Sequence, residues 1–243
     1  MIIDVHAHMG KGVTKIPMQF GITADQIVTL MDEAHIDKTV VFPVYYHAYN
    51  QANEEIRAAA DKYPDRLIGF GRINVASPGQ AAREATYALK DLGLKGIGEL
   101  ALPWGASEPE CTRIYMEVIR KYRVPVLFHA LENLNHIYEI AKEFRDVPII
   151  LGHMGGLWNL ELNDRCIEMA KELDNVFLET STVLFQCKIE KAVKELGPSK
   201  ILFGSDAPAL HPVVEKLKIE TLRISDSEKE MILGGNASQL LRL

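Results

Sequence analysis

The chain has 243 residues, of which 47% are hydrophobic and 25% are charged, and its formal net charge is −6 at pH 7. This length and composition predict one globular domain over residues 1–243, with enough apolar residues for a large core. Acidic residues are scattered and the sequence contains no basic cluster, which argues against a nucleic-acid partner or a membrane partner.

Cysteine usage and hydropathy bear on the cellular compartment. The three cysteines, Cys111, Cys166 and Cys187, lie far apart and predict neither a disulfide framework nor a zinc ribbon. The sequence has no apolar run long enough to span a membrane, and its start, MIIDVHAH, is typical of a strand rather than of a signal peptide. These features predict a cytoplasmic protein.

Short apolar runs and amphipathic segments alternate along the chain. The apolar, β-branched runs predict eight strands, at Ile2–Val5, Thr39–Val44, Leu67–Ile73, Leu94–Leu100, Val124–Phe128, Val147–Leu151, Val176–Leu178 and Ile201–Phe203. The amphipathic segments predict helices at Ala24–Ala34, Asn53–Lys62, Gln80–Leu92, Pro109–Tyr122, Asn135–Phe144, Asp164–Leu173 and Lys188–Leu196.

The connections indicate how these elements are arranged. Turns that lead from a helix into the next strand are short, whereas loops that follow strands are longer and richer in His, Trp and Gly, so we expect function on the latter face. Past residue 220, two short helices are expected, with Ser225 or Asp226 and Asn236 as N-caps. Repeated βα units with little room for a second domain predict an α/β fold, a single-domain (β/α)8 TIM barrel.

The most distinctive motif is Asp-Val-His-Ala-His over residues 4–8, at the end of the first strand. The two-residue period of a strand sends His6 and His8 to one side and Ile3, Val5 and Ala7 toward the helices. Two neutral imidazoles in this arrangement can supply two of the ligands of a tetrahedral zinc site. Paired histidines on the surface would show the same sequence pattern.

Other strands end in residues of the same kind. His129 closes the fifth strand, His153 closes the sixth, and Asp206 follows the eighth, where a buried carboxylate needs a partner. In a closed barrel the carboxyl ends of the strands converge at one mouth, where barrel enzymes carry their chemistry. We therefore expect these side chains to meet.

Five segments carry a resemblance to a known family: IIDVHAH, LFHA, LGHMGG, LFGSDAP and ILGGNAS. They resemble the amidohydrolase superfamily, in particular its amidohydrolase-related branch of metal-dependent hydrolases and decarboxylases, over the whole chain. This resemblance implies a divalent metal held by His6, His8, His129 and Asp206. It also implies that His153 binds a second metal or helps to activate water and substrate.

The fourth strand offers one more candidate ligand. Many superfamily members carry a carbamylated lysine or a glutamate there that bridges two metals, whereas related decarboxylases lack it. Glu99 could bind one ion or bridge two if its side chain points inward. Alternatively, it could face the substrate or form a salt bridge. Zinc, as one or two ions, is the expected cofactor, with another divalent metal as the alternative.

The mouth loops are expected to select a small-molecule substrate. A zinc-bound water is acidic enough to supply hydroxide, with Asp206 as the base and His153 stabilising the developing charge. His47, Trp104 and Trp158 lie on these loops, although such residues are as often ordinary packing.

Three functions are compatible with these residues. The leading prediction is a metal-dependent hydrolase of C–N or C–O bonds, because Glu99 favours a hydrolytic site. The alternative is a metal-dependent non-oxidative decarboxylase of a small carboxylic acid, with Lys11 or Arg72 anchoring the substrate. A non-catalytic metal-binding barrel is the third, and is disfavoured because structural zinc sites usually have four protein ligands. A homo-oligomer remains an open expectation.

Overall fold

Apolar, β-branched segments form eight parallel strands in the computed structural model, which describes residues 1–10, 22–44, 48–101, 109–130, 133–156 and 158–243. The strands are β1 (Ile3–Met9), β2 (Lys38–Pro43), β3 (Leu67–Gly69), β4 (Ile97–Ala101), β5 (Val126–His129), β6 (Ile149–Gly152), β7 (Val176–Glu179) and β8 (Ile201–Leu202). Each predicted strand is therefore present, with shifted ends.

Helices separate successive strands and continue after the last one. They are α1 (Ala24–Ala34), α2 (Asn50–Lys62), α3 (Pro78–Thr86), α4 (Pro109–Tyr122), α5 (Leu134–Glu143), α6 (Leu160–Glu172), α7 (Gln186–Leu196), α8 (Pro212–Glu220), α9 (Asp226–Glu230) and α10 (Asn236–Leu241). In the described part of the chain, none is long and apolar enough to cross a membrane.

The strands close into a barrel. Hydrogen bonding runs in the order β1-β2-β3 in one sheet and β4-β5-β6-β7-β8 in the other. Parallel bridges between Ala7 and Ala207 and between Gly71 and Ile97 join the two sheets at both edges. The backbone N–H of Gly98 donates to the Gly71 carbonyl at 2.8 Å across the second junction. The predicted (β/α)8 barrel is confirmed.

Apolar side chains fill the barrel below its mouth, the end at which the strands terminate. Leu127 lies two residues before His129 on β5, so both face the interior. Leu127 belongs to a buried cluster to which most strands contribute, and Leu240 and Leu241 of α10 pack against it. The other buried members are Ile3, Val5, Val40, Phe42, Ile68, Phe70, Ile150, Leu202 and Ala237.

A bulge in β1 alters the expected alternation. The pairing of β1 with β2 shifts register between Asp4 and Ala7, so one extra residue lies on β1 there. Ile3 and Val5 consequently pack with the barrel cluster, and only Ala7 packs with the helix-side core. The expectation that all intervening residues of the motif face the helices was wrong for this reason.

Two features of the C-terminal helices also differ from expectation. Helix α8 was not predicted, because Val213, Val214 and Leu217 are exposed and obscure the amphipathic period. Asn236 does not cap a helix: it is buried, and its Nδ2 donates to the carbonyls of Pro198 and Ile201, both at 2.8 Å. The predicted N-cap at Ser225 is confirmed by a capping box with Glu228.

Asn175 links α5 to the start of β7 and provides a test of this packing. Its buried Nδ2 lies 3.0–3.1 Å from the carbonyls of Ala141, Phe144 and Val147. Asn175→Ala should lower the free energy of unfolding by about 1–3 kcal/mol, because buried carbonyls lose their donor. Urea denaturation measures this, with exposed Gln239→Ala as the control, for which a change within about 0.5 kcal/mol is expected. Equal stabilities of the two variants would contradict the role of Asn175.

Candidate metal centre

The first group of polar side chains at the mouth comes from β1 and the segment after β8. The Nε2 atoms of His6 and His8 lie 3.5 and 3.1 Å from Asp206 Oδ1. The backbone N–H of Asp206 donates to the His6 carbonyl at 2.8 Å, which ties the carboxylate to β1. We call His6, His8 and Asp206 the first half-site.

The second group comes from β4, β5 and the turn after β6. His129 Nδ1 is in close contact with Glu99 Oε1, and His153 Nε2 lies 3.1 Å from the same oxygen. The two histidines are 3.2 Å apart between His153 Nε2 and His129 Nδ1. We call Glu99, His129 and His153 the second half-site.

Glu99 stands between the two half-sites. Its Oε1 lies 3.9 Å from His6 Nε2 and its Oε2 lies 3.8 Å from His8 Nε2. On another side, the guanidinium of buried Arg72 is 4.0 Å from Oε2. The predicted inward orientation of Glu99 is therefore observed, whereas the four predicted ligands are divided, with His129 beside Glu99 rather than within the first half-site.

Both half-sites fit a divalent cation. Within each, one ligand atom per residue lies within 4.8 Å of the others. His6 Nε2 is buried and has no hydrogen-bond partner among the described residues, which is costly for a polar atom unless something binds it. Imidazoles combined with carboxylates suit borderline and transition-metal cations. That these residues are metal ligands remains a prediction, now supported by their geometry.

Glu179, at the end of β7, is a site residue that sequence reasoning missed. It is fully buried, and its Oε2 lies 2.9 Å from His6 Nδ1, on the side away from the first half-site. It also accepts a hydrogen bond from the backbone N–H of His153 at 3.0 Å. The signal was present, because Glu179 is a charge that closes an apolar strand, as Asp206 is.

Asp4 is a second missed residue and holds β1 against the segment after β8. Its Oδ1 accepts hydrogen bonds from the backbone N–H groups of His6 and Ser205, each at 3.0 Å. Burial raises the pKa of Asp4 to about 7, although these hydrogen bonds oppose the rise. Because Ser205 precedes Asp206, Asp4 helps to fix the position of the first half-site.

Burial and pairing shift the titration of the cluster in opposite directions. Burial lowers the pKa of His6, but the carboxylates of Glu179, Glu99 and Asp206 raise it to about 10. Burial lowers the pKa of His8, and Asp206 only partly offsets it. Burial raises the pKa of Glu99, but His129 and His153 hold it well below its usual range. A metal ion must therefore displace a proton from His6.

Two of the described site residues are partly exposed. Asp206 and His129 have side-chain exposures of 16% and 25%, whereas His6, His153 and Glu99 are almost completely buried. A substrate can therefore reach the site beside Asp206 and His129.

The structure describes two of the predicted substrate-binding residues, Arg72 and Trp158. Arg72 is buried behind Glu99. Trp158 is 71% exposed on the loop after β6, and makes no hydrogen bond or ring contact to a described site residue. His47, Trp104 and Lys11 lie outside the described residues.

These features define a (β/α)8 barrel whose strand ends carry a cluster able to hold a divalent cation. The amidohydrolase family model matches residues 3–243, and the chain belongs to this family. The resemblance found in the five sequence motifs is confirmed.

Three decarboxylases are similar to this chain over most of its length. Gamma-resorcylate decarboxylase of Polaromonas sp. is 24% identical over 289 residues, covering 90% of this chain and 87% of the relative. The structure of 5-carboxyvanillate decarboxylase of Novosphingobium aromaticivorans, with manganese and 4-hydroxy-3-methoxy-5-nitrobenzoic acid, has a TM-score of 0.80 at 17% identity, covering 100% of this chain and 96% of its own. The structure of 2,6-dihydroxybenzoate decarboxylase from Rhizobium has a TM-score of 0.78 at 19% identity, and the match covers 99% of this chain and 98% of that chain.

The prediction of a hydrolase was wrong, because the relatives of this chain are decarboxylases. Glu99 contacts His129 and His153, and these contacts do not distinguish hydrolysis from decarboxylation. An enzyme of the amidohydrolase family that uses a divalent metal is supported. Zinc in particular is not confirmed, since the 5-carboxyvanillate decarboxylase structure holds manganese.

The position of Glu99 predicts the number of ions. If it bridges the half-sites, Glu99→Gln should lower the bound divalent ions from two per chain toward one, because a neutral amide is a poor bridge. Elemental analysis after saturation with zinc or manganese measures this, with exposed Glu161→Gln as the control. A variant that still holds two ions would show that another group bridges, and a single ion in the wild type would refute the binuclear site.

Proposed function

We propose that this chain is a metal-dependent non-oxidative decarboxylase of a hydroxylated aromatic carboxylic acid. The observation that carries the proposal is the similarity to gamma-resorcylate decarboxylase, which extends over 90% of the chain and 87% of the relative. The cluster of four histidines with Glu99 and Asp206 supports it, because it provides metal ligands and a partly exposed acid at one mouth. The proposal replaces the hydrolase prediction.

The first half-site is the proposed position of the ion. His6, His8 and Asp206 would hold it, with Glu99 and His129 adjoining. A divalent ion there would supply positive charge that attracts the carboxylate and an adjacent hydroxyl of the substrate and withdraws electrons from the ring. The phenolic acids named for the relatives have oxygens of this kind.

Decarboxylation needs a proton donor at the ring carbon. The bond between this carbon and the carboxylate breaks, its electron pair stays on the ring, carbon dioxide leaves, and the carbon takes one proton. Asp206 Oδ1 lies close to His6 and His8, which leaves Oδ2 for proton transfer in a side chain that is 16% exposed. His153 is buried more deeply and bonded to Glu99, so we propose Asp206 as the donor.

Arg72 is the proposed source of additional positive charge. It borders a cavity of about 170 Å³ at the ends of β3 and β4, together with Tyr49, Asn74, Glu99 and Leu100. The Nη1 atom of Arg72 donates a hydrogen bond to the Pro43 carbonyl at 2.9 Å, which fixes the guanidinium beside Glu99. We propose that Arg72 offsets the charge of Glu99, so that an anionic substrate is not repelled.

A substrate panel tests the proposal. Purified protein reconstituted with manganese or zinc should release carbon dioxide from 2,6-dihydroxybenzoate, 5-carboxyvanillate or a related hydroxybenzoate. Benzoate, which has no hydroxyl, should not react. The absorbance of the aromatic ring and an assay for released carbon dioxide monitor the reaction. A lactone and an amide are tested in parallel as substrates of a hydrolase. Hydrolysis of either, without decarboxylation of any phenolic acid, would reject the proposal.

The role of Asp206 leads to a separate prediction. Asp206→Asn keeps the shape of the side chain but removes its acid, so turnover should fall by a factor of about 10²–10⁴. The histidines should retain much of the metal, which elemental analysis and a thermal melt would show. Exposed Asp91→Asn serves as the control. Wild-type turnover in Asp206→Asn would defeat the proposed mechanism, and a loss confined to metal and stability would indicate a structural site.

A further inference from the structure

The carboxylate of Glu179 is surrounded by hydrogen-bond donors. Its Oε2 accepts from His6 Nδ1 at 2.9 Å, from the backbone N–H of His153 at 3.0 Å and from Ser181 Oγ at 2.9 Å. Its Oε1 accepts from the backbone N–H of Ser181. A carboxylate offers about four acceptor sites, and these four donors, three of them on Oε2, make Glu179 a hydrogen-bond acceptor for its neighbours.

These contacts determine which nitrogen of His6 carries the proton. A carboxylate that receives backbone donors can only accept, so His6 Nδ1 must be the protonated nitrogen. Once a metal ion has displaced the other proton of the ring, His6 Nε2 presents its lone pair to the first half-site, where it lies 3.5 Å from Asp206 Oδ1. The absence of a hydrogen-bond partner for this nitrogen among the described residues agrees with that orientation.

The same carboxylate acts on His153 through Ser181. Ser181 has one hydroxyl proton and donates it to Glu179, so its oxygen must accept from His153 Nδ1, 2.9 Å away. Thr182 Oγ1, 3.1 Å from the same nitrogen, can share this proton as a second acceptor. His153 Nε2, which faces Glu99 in the second half-site, is then the nitrogen that must give up its proton when a metal ion binds.

We propose that Glu179 is a positioning residue that sets the tautomers of His6 and His153, so that both Nε2 atoms point into the metal centre. This inference rests on the metal centre of the proposed function, but not on the identity of the substrate. Carboxylates that orient metal-binding histidines in this way tune metal affinity.

Gly204 gives independent support, because it leaves the space that Glu179 needs. A Cβ at this position would lie 2.1 Å from Glu179 Oε1 and 2.9 Å from His6 Cβ. The glycine of the segment LFGSDAP therefore lets a strand pack directly against the Glu179–His6 pair.

Histidine tautomers can be measured directly in the wild-type protein. In zinc-loaded protein labelled with ¹⁵N-histidine, long-range ¹H–¹⁵N spectra should show Nδ1 of His6 and of His153 protonated, with His6→Gln and His153→Gln variants for assignment. Protonated Nε2 on His6 would overturn the proposal. If the protein bound no metal at all, the proposed function would fail, while the proton on His6 Nδ1 could still be measured, so the two failures are distinguishable.

Glu179→Gln tests the consequence for binding. The glutamine amide can donate to Nδ1 and so favours the wrong tautomer, and manganese affinity should fall by a factor of about 10–100 in calorimetric titration. Glu215→Gln is the matched control: Glu215 is also buried and accepts from the backbone N–H of Thr182 and from Lys218, but among the described residues its carboxylate bonds no histidine side chain. Wild-type affinity in Glu179→Gln, or equal losses in both variants, would overturn the proposal.

A second variant covers the case in which Glu179→Gln does not fold. Ser181→Ala removes the hydroxyl that accepts from His153 Nδ1 and donates to Glu179 Oε2, and leaves the Glu179–His6 contact in place. The spectra should then show a mixed tautomer for His153 and an unchanged one for His6. An unchanged His153 would refute the part of the proposal that runs through Ser181.

Discussion

A carboxylate can be buried inside a barrel only where donors surround it, and this constraint organises the mouth of the protein. Glu179 from β7 is surrounded by donors from β1 and from the turn after β6, and Glu99 from β4 contacts histidines from β5 and β6. Asp4 from β1 is held by Ser205 after β8. Each buried acid therefore connects strands that are distant in sequence, and the same bonds place the candidate ligands.

Some of the strained backbone positions of the chain lie in the metal centre. His153, Thr182 and Asp206 have φ values of 60°, 59° and 58°, in the left-handed region that non-glycine residues rarely adopt. Such conformations cost about 1–3 kcal/mol each and persist only where surrounding contacts enforce them. Here the contacts are the bonds of His153 to Glu179 and of Asp206 to the His6 carbonyl. Placement of the ligands is thus achieved at some expense of stability.

The sequence allowed the barrel and most of the candidate ligands to be predicted, because apolar strands ending in His6, His8, His129, His153 and Asp206 imply convergence at one mouth. Glu179 was not predicted, since the periodicity of the strands does not show which acid bonds the Nδ1 atom of a histidine. Helix α8 was missed because its apolar residues face solvent. The reaction was misjudged because fold and ligand type are common to several chemistries, so Glu99 could not discriminate between them.

Charge balance links the buried acids to the proposed chemistry. If one divalent ion is bound while the histidines are neutral and Asp4 is protonated, the charges of Glu99, Glu179 and Asp206 are offset by the ion together with Arg72. An aromatic carboxylate would then add one uncompensated negative charge in a poorly solvated site, which is unfavourable. Protonation of Asp206, the partly exposed acid of the cluster, would restore neutrality. Burial raises the pKa of Asp206 but His8, His6 and His153 hold it below its usual value, so the added negative charge of the substrate would have to drive this protonation. Substrate binding would thus bring in the proton that decarboxylation consumes, on the residue placed to deliver it.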